Sequence, residues 1–233
     1  MNPINLPDVR AQLEVELSWR LDELRLLQNQ LGLISSESDR DRYRKMLVVM
    51  LYAHFEGFCR EAWLLYVDTI NRLGIHRLQA SDAIASASLA ELFRALEDPQ
   101  RKCDEFRRQL PDDTKLHRFF RQVEFVMELR NIWRRQVALP EEIVIDTEAN
   151  LSVPQLRKSL FRLGLAIDSF EAYEGSIHRL VNLRHAVAHG AYKQGVPEAD
   201  YVAFRDAIFD VMNGMSRLIW RALVDRKYMK RTA

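Results

Sequence analysis

Cysteine, glycine and proline are scarce in this sequence, and these shortages argue against several classes of structure. Its two cysteines, Cys59 and Cys103, cannot form a disulfide framework or a four-thiolate zinc site. It has 8 glycines and 7 prolines in 233 residues, with no internal repeat and no Gly/Ser-rich linker. Because 48% of the residues are hydrophobic, we expect a mostly ordered chain with a sizeable core.

An excess of one charge and a long apolar run are also lacking. The formal net charge of +1 argues against a basic coat for gripping duplex DNA, but it leaves room for a local basic site. The longest apolar runs, such as MLVVMLYAHF, are too short to span a membrane. The start, MNPINLPDVR, lacks the basic and apolar regions of a signal peptide. We therefore expect a soluble cytoplasmic protein with no membrane partner.

Helical periodicity is what the sequence does contain. Leucines from Leu13 to Leu27 recur every three or four residues, and 40–73 is the most apolar helical stretch, with Gly74 as its cap. The polar run SSESDRD before it offers Ser or Asp caps. Further helices are predicted over 88–98, 99–110, 114–135, 152–164, 171–189 and 198–228.

A single segment, 142–148, has the β-branched pattern of a strand. One short run cannot form a sheet alone, so we expect an extended connector or part of a hairpin. The prediction is an all-α helical bundle, a single domain over 1–233 with this minor segment. The N-terminal helix within 1–36 is a candidate dimerisation element.

Polar side chains crowd one helical face near NLRHAVAHG, residues 182–190. His178, Asn182, His185 and His189 fall within about 60° of one another on a regular helix. One interpretation is a half-buried face whose imidazoles find structural partners. A second is a metal site, since His185 and His189 are four residues apart. However, Ala186 stands where zinc proteases carry a glutamate, and no Cys, Asp or Glu lies nearby, so we predict neither metal nor cofactor.

A third interpretation is metal-free acid–base chemistry on a phosphodiester. A histidine that titrates near neutrality can move protons, and an arginine can hold two phosphate oxygens. His189 and Arg184 would supply these roles, with an RNA 2′-hydroxyl as the nucleophile. Five residues of regular helix separate the two by about 140°. Either unwinding at Gly190 or a second copy of the chain would have to bring them together.

Three segments in order also resemble one known family. RHAVAHG, residues 184–190, resembles the R-x4-H signature of the HEPN superfamily (higher eukaryotes and prokaryotes nucleotide-binding), which consists of all-α domains and includes metal-independent endoribonucleases. YAHFEGFCREA, 52–62, and IDTEANLSVPQLRKSLFRLGL, 145–165, resemble the central helix and the asparagine–leucine segment of its bacterial MAE-type branch. The resemblance implies a HEPN-type bundle and a homodimer whose two motifs form one composite RNA cleft.

Carried over by position, the resemblance implies that Arg184 and His189 are catalytic. The usual asparagine after the arginine is replaced by His185, and the tyrosine that one branch has two residues after the histidine is replaced by Ala191. His54 and Glu56 match family-like positions, although a regular helix places them about 160° apart. We expect the supporting or substrate-binding residues to be His185, Asn182, His178, Glu56 and His54.

The function implied is RNA cleavage by 2′-hydroxyl attack, giving 2′,3′-cyclic phosphate and 5′-hydroxyl ends, in a toxin or defence effector with an antitoxin or partner protein. DNA lacks that nucleophile. Two alternatives stay open: a non-catalytic helical module that binds RNA or protein, and an interface whose partner carries the activity. The segment 101–136, with ten Lys or Arg against six Asp or Glu, is either an RNA-binding surface or a solvated helix face.

Overall fold

The computed structural model describes residues 5–141 and 150–230. Within these ranges the chain forms eight α-helices: α1 Leu6–Asn29, α2 Glu37–Leu73, α3 Asp82–Ala87, α4 Ala90–Glu97, α5 Thr114–Ile132, α6 Val153–Arg162, α7 Glu174–Ala188 and α8 Glu198–Val224. No strand forms in the described ranges, where the isolated bridges are His76–Gln136 and Ala80–Met229. The all-α prediction is confirmed. The predicted extended segment, 142–148, lies outside the described residues.

The second helix, which contains the most apolar helical stretch of the sequence, is the centre of the bundle. Ser36 caps its N-terminus by accepting a hydrogen bond from the Asp39 backbone N–H at 3.4 Å, and Gly74 ends it with a left-handed φ of 62°. Its buried residues Leu51, Phe55 and Phe58 are fully enclosed and appear on successive turns. Because α2 is apolar over a wide arc, it can be covered on several sides.

Three helices cover α2: α1, α7 and α8. The stripe of α1 lies buried against this core through Leu13, Leu21 and Leu24, and α8 contributes Ile208 and Met215. The stripe of α1 is therefore used within the chain. A role of residues 1–36 in dimerisation stays a prediction.

Two helices and one boundary differ from the sequence predictions. The predicted helix over 99–110 is wrong: this segment forms successive turns, because it has too few apolar residues to bury a helical face. Side chains of α5 hold it in place, with Arg121 donating to the carbonyls of Leu96 and Arg101 at 2.9 and 3.0 Å. The short α3 was not predicted, and α8 ends at Val224, four residues before the predicted end at 228.

The helices α4 and α5 pack on each other as a peripheral lobe. The buried side chains of this lobe, Leu89, Cys103 and Ile132, do not join the main core cluster. The lobe connects to the bundle near the end of α2, where the Val137 N–H donates to the Ile75 carbonyl at 2.8 Å. No helix within 5–141 and 150–230 has the length and apolarity needed to cross a bilayer.

Candidate functional site

The motif segment lies at the C-terminal end of α7. Ile177 and Leu180 anchor the helix in the core, which leaves the polar side chains of its last two turns toward solvent. Gly190 has a φ of +70° and terminates the helix, with its N–H donating to the Val187 carbonyl at 3.1 Å. His189 is the capping residue and keeps near-helical angles, φ −94° and ψ 8°. The bend therefore begins after His189, not before it.

Arg184 is held by an aromatic ring and an amide. Its guanidinium carbon lies 4.7 Å from the centre of the Tyr52 ring, and its Nη1 donates to Asn150 Oδ1 at 3.0 Å. The side chain is half-buried, and its Nε is buried without a hydrogen-bond partner. No ion pair of Arg184 occurs among the residues that the structure describes. Its positive charge is thus fixed in place without being neutralised by a carboxylate.

A small hydrogen-bond network fixes the ring beneath Arg184. The Tyr52 hydroxyl donates to Glu56 Oε1 at 2.8 Å, and the Leu151 N–H donates to both that hydroxyl and the same carboxylate oxygen, at 2.7 and 2.9 Å. Burial, followed by the hydrogen bond to Glu56, raises the pKa of Tyr52. The phenol therefore stays protonated and keeps donating to Glu56, which holds the hydroxyl end of the ring in place.

Three segments that are distant in sequence thus meet at one point. Tyr52 and Glu56 come from α2, Asn150 and Leu151 from the segment before α6, and Arg184 from α7. These are the same three segments that carry the family resemblance. This cluster explains why the three segments belong together: Tyr52 and Asn150 each supply a contact that positions the arginine, and the third segment supplies Arg184 itself.

The polar face of α7 divides into two pairs. His185 and His189 have ring centroids 4.3 Å apart with planes tilted by 52°, and both are exposed. One turn earlier, Asn182 Nδ2 lies 3.0 Å from His178 Nε2, also at the surface. The four predicted residues share a face, as their spacing indicated.

Arg184 and His189 are not in contact within the chain. Among the described residues, no hydrogen bond or ring contact joins them, and His189 packs on His185 instead. Regular helical geometry through Ala188 keeps the two side chains on different sides of α7. Unwinding at Gly190 therefore does not bring them together, and a site that uses both needs a second element.

His54 lies apart from this cluster and is not part of it. It is buried between α1 and α2, with its ring edge-on to Trp19 at 5.5 Å. Glu23 Oε2 approaches its Nε2 to 3.3 Å without hydrogen-bond geometry, and burial lowers the pKa of the imidazole. His54 and Glu56 point to opposite sides of α2, so of these two candidates only Glu56 reaches the Arg184 cluster.

The loop after the motif is pinned to the start of α2. The Val196 N–H donates to the Asp41 carbonyl at 2.9 Å, and a Cβ on Gly195 would lie 2.9 Å from the Asp41 carbonyl carbon. The Tyr192 hydroxyl donates to the Gly195 carbonyl at 3.1 Å, and Lys45 Nζ donates to the Tyr192 carbonyl at 3.4 Å. Tyr192 is therefore engaged in holding this loop next to His189.

Sequence reasoning missed the two residues that touch Arg184. In the sequence, Tyr52 falls within the most apolar helical stretch and Asn150 follows the strand-like segment 142–148, so neither pattern singles it out. The signal was present in two of the family-like segments: 52–62 contains Tyr52, and 145–165 contains Asn150. Within the described residues, no group of three or more His, Cys, Asp or Glu side chains is arranged to hold a metal ion.

The family comparison agrees with this geometry. A comparison with curated proteins gives no significant match, and one with solved structures gives none either. The model of one protein family, RiboL-PSP-HEPN, matches residues 15–221, which covers α2, the Arg184 cluster and most of α8. The match spans most of the sequence and includes all three segments of the cluster. The chain belongs to the RiboL-PSP-HEPN family.

Proposed function

We propose that this protein is a metal-independent endoribonuclease whose catalytic residues are Arg184 and His189. The observation that carries the proposal is the state of Arg184: its guanidinium is fixed by Tyr52 and Asn150 and has no carboxylate partner among the described residues, and the same helix carries an exposed pair of histidines, His185 and His189. A fixed cation without a counterion suits a phosphate that gains charge in the transition state. Membership in a HEPN family supports RNA as the substrate.

The chemistry uses the substrate's own nucleophile. The RNA 2′-hydroxyl loses its proton to a histidine and attacks the adjacent phosphorus, while the bond to the 5′-oxygen of the next nucleotide breaks. That leaving oxygen takes up a proton, and the products are a 2′,3′-cyclic phosphate and a 5′-hydroxyl. Arg184 stabilises the charge on the non-bridging oxygens, and His189 acts as general base or acid. His185, in ring contact with His189, is placed to orient it.

Two copies of the chain would complete the site. In one copy Arg184 and His189 lie on different sides of α7, whereas the exposed ring of His189 is free to meet RNA held by a second copy. A homodimer with α7 facing α7 would place the arginine of one protomer opposite the histidine of its partner. Glu56 supports Arg184 through Tyr52, and Asn182 and His178 are candidate contacts for the RNA chain.

Finer assignments are also part of the proposal. The resemblance of 52–62 and 145–165 to the MAE-type branch suggests that placement within the superfamily. We further propose that the protein acts as a toxin or defence effector in the cytoplasm and that an antitoxin or another partner protein restrains it. No cofactor is required by the proposed chemistry, because the nucleophile belongs to the RNA.

The test compares RNA and DNA of the same sequence, each with and without EDTA. We expect cleavage of RNA alone, unchanged by EDTA. Arg184→Lys should lower the rate by about 10²–10³-fold, because it keeps the charge but loses the planar fork. His189→Ala should lower it by about 10²–10⁴-fold. Arg179→Ala, an exposed arginine of the same helix, is the matched control and should retain activity.

Two outcomes would contradict the proposal. A folded dimer that binds several structured RNAs without cutting any would establish the alternative of a non-catalytic module. Cleavage that is abolished by EDTA and restored by zinc would indicate a metal site in place of the proposed chemistry.

A further inference from the structure

The outer face of α5 carries cations and aromatic rings that nothing in the described chain covers. The side chains that form this face, named below, project from the helix within about 80° of one another when each residue turns it by 100°. Three of them are large and well exposed: Phe119 at 63%, Val126 at 56% and Trp133 at 44%. We define the α5 outer face as Lys115, Phe119, Val123, Val126, Arg130 and Trp133, all of them exposed.

Acidic side chains are confined to the opposite side of the helix. The two acidic residues of α5, Glu124 and Glu128, point away from the outer face by about 140–180° on the helical wheel. Each is paired with an arginine of the lobe: Arg101 holds Glu124 with bonds of 2.8 and 2.9 Å, and Arg135 lies 2.9 Å from Glu128. The two carboxylates of α5 are thus neutralised on one side of the helix, and the outer face carries cations and no carboxylate of this helix.

The cations of the outer face have no counterions in the described part of the chain. The side chains of Lys115 and Arg130 form no ion pair there, and neither does that of Arg134, which is exposed in the turn after α5. Phe119 and Trp133 are 14 residues apart, or about 21 Å along the helix. Exposed rings spaced along a row of unneutralised cations match a flexible polyanion that also presents flat aromatic surfaces.

We propose that the α5 outer face binds single-stranded RNA outside the catalytic cleft. The inference rests on the proposed function, which makes RNA the substrate. The cations contact phosphates, and the two rings stack on unpaired bases, an interaction worth about 1–3 kcal/mol per base. The partner is single-stranded because bases must be unstacked to reach the rings.

The charge of the α5 outer face favours RNA over a second copy of the chain as the molecule that binds there. A second copy docked face to face would add more cations and no carboxylate, so every charge would remain unpaired while losing water. A face lined by Lys115, Arg130, Phe119 and Trp133 instead offers separate partners for phosphates and for bases. RNA uses both kinds of group at once.

The distance from the Arg184 cluster sets a length requirement. The lobe joins the bundle beside Ile75, and α2 rises about 1.5 Å per residue, so the join lies about 30 Å from Tyr52 along that helix. A fragment of two or three nucleotides cannot reach both places. The α5 outer face should therefore strengthen the binding of long RNA and leave the shortest substrates unaffected.

The first test measures binding without cleavage. Fluorescein-labelled 2′-O-methyl oligouridine of about 16 nucleotides, a length typical of single-strand sites, cannot undergo 2′-hydroxyl attack, and its Kd is measured by anisotropy across salt concentrations. The double variant Lys115→Gln/Arg130→Gln should weaken binding and reduce the salt slope by about 1.4, since each lost phosphate contact removes about 0.7. Arg221→Gln, an exposed arginine at the end of α8, is the control and should leave both unchanged.

The second test removes the rings. Phe119→Ser and Trp133→Ser should each raise Kd by about 5-fold or more, with little change in thermal melting because both side chains are exposed. Phe161→Ser is the matched control, a phenylalanine 70% exposed on α6, and should bind like the parent. Quenching of Trp133 fluorescence by the oligonucleotide, absent in Trp133→Ser, would show direct stacking.

The outcomes separate this inference from the proposed function. Weaker binding by the α5 variants supports the inference even if the protein cleaves no RNA, which would overturn the ribonuclease proposal alone. Unchanged Kd values in all α5 variants overturn the inference even if RNA is cleaved as proposed. Variants that dissociate from a dimer into monomers would assign the face to a second copy and overturn it as well.

Discussion

The ring of Tyr52 supports Arg184 in the proposed site. Two substitutions distinguish the contribution of this ring from that of its hydroxyl. Tyr52→Phe keeps the surface beneath Arg184 but removes the bond to Glu56 at 2.8 Å. Leu151 still donates to Glu56 at 2.9 Å, so the carboxylate loses one of two donors. A hydrogen bond to a charged group contributes about 1.5–3 kcal/mol, and we expect a loss of about 2 kcal/mol in the free energy of unfolding.

Tyr52→Leu removes the ring as well. Arg184 then loses a cation–π contact at 4.7 Å that is partly shielded from solvent, worth about 1–2 kcal/mol. Because a misplacement of about 1 Å costs about 10²-fold in rate, kcat/KM should fall by about that factor in Tyr52→Leu and by only a few-fold in Tyr52→Phe. The assays are urea unfolding for stability and RNA cleavage for activity.

A double-mutant cycle tests directly whether the Tyr52 ring interacts with the Arg184 guanidinium. Tyr52→Leu combined with Arg184→Met should show a coupling energy of about 1–2 kcal/mol in urea unfolding, whereas Tyr52→Phe with Arg184→Met should show almost none. Equal losses of activity in Tyr52→Phe and Tyr52→Leu, or no coupling between the ring and the guanidinium, would refute the claim that Tyr52 positions Arg184.

Three further predictions concern the loop, the buried histidine and the dimer. Gly195→Ala should destabilise the protein by about 1–3 kcal/mol because its Cβ meets the backbone of α2, whereas Gly175→Ala, with open space in α7, should stabilise it by about 0.5–1 kcal/mol; urea unfolding measures both. Burial lowers the pKa of His54 from its ordinary 6.5, so the unfolded state binds its proton first and stability is lost as pH falls through and below 6.5. His54→Phe should flatten that part of the stability–pH curve, and an unchanged curve would contradict the assignment. If the site is composite, mixing inactive Arg184→Lys and His189→Ala proteins should restore about a quarter of wild-type activity, because half of the randomly paired dimers contain one intact site; no recovery in a mixture shown to exchange subunits would argue against it.

The helices were predictable wherever an apolar stripe fixed them. Residues 40–73 carry apolar side chains at helical spacing through about nine turns, and the boundaries at Ser36 and Gly74 follow from ordinary capping chemistry. The segment 99–110 has charged residues that favour helix but almost no apolar face. Its conformation is set instead by Arg121 and His117 of α5, whose side chains form hydrogen bonds with its backbone.

The helix that carries the motif was predictable from the sequence, but the side-chain contacts between helices at the site were not. Helical spacing correctly placed His185 and His189 on one side of α7, and their rings do meet. Spacing alone could not show that Arg184 would rest on Tyr52, 132 positions earlier, because that contact depends on how α2 and α7 pack. His54 illustrates the converse: its position in the family-like segment suggested a site role, while the packing of α1 buries it elsewhere.

The chemical identity of the RNA ends tests the central claim most directly. RNA is cut by the wild-type protein in EDTA, and the fragments are analysed by mass spectrometry. The account predicts 2′,3′-cyclic phosphate and 5′-hydroxyl ends, formed by the wild type and lost in His189→Ala. Fragments with 5′-phosphate ends, or the same yield of fragments from His189→Ala, would contradict it.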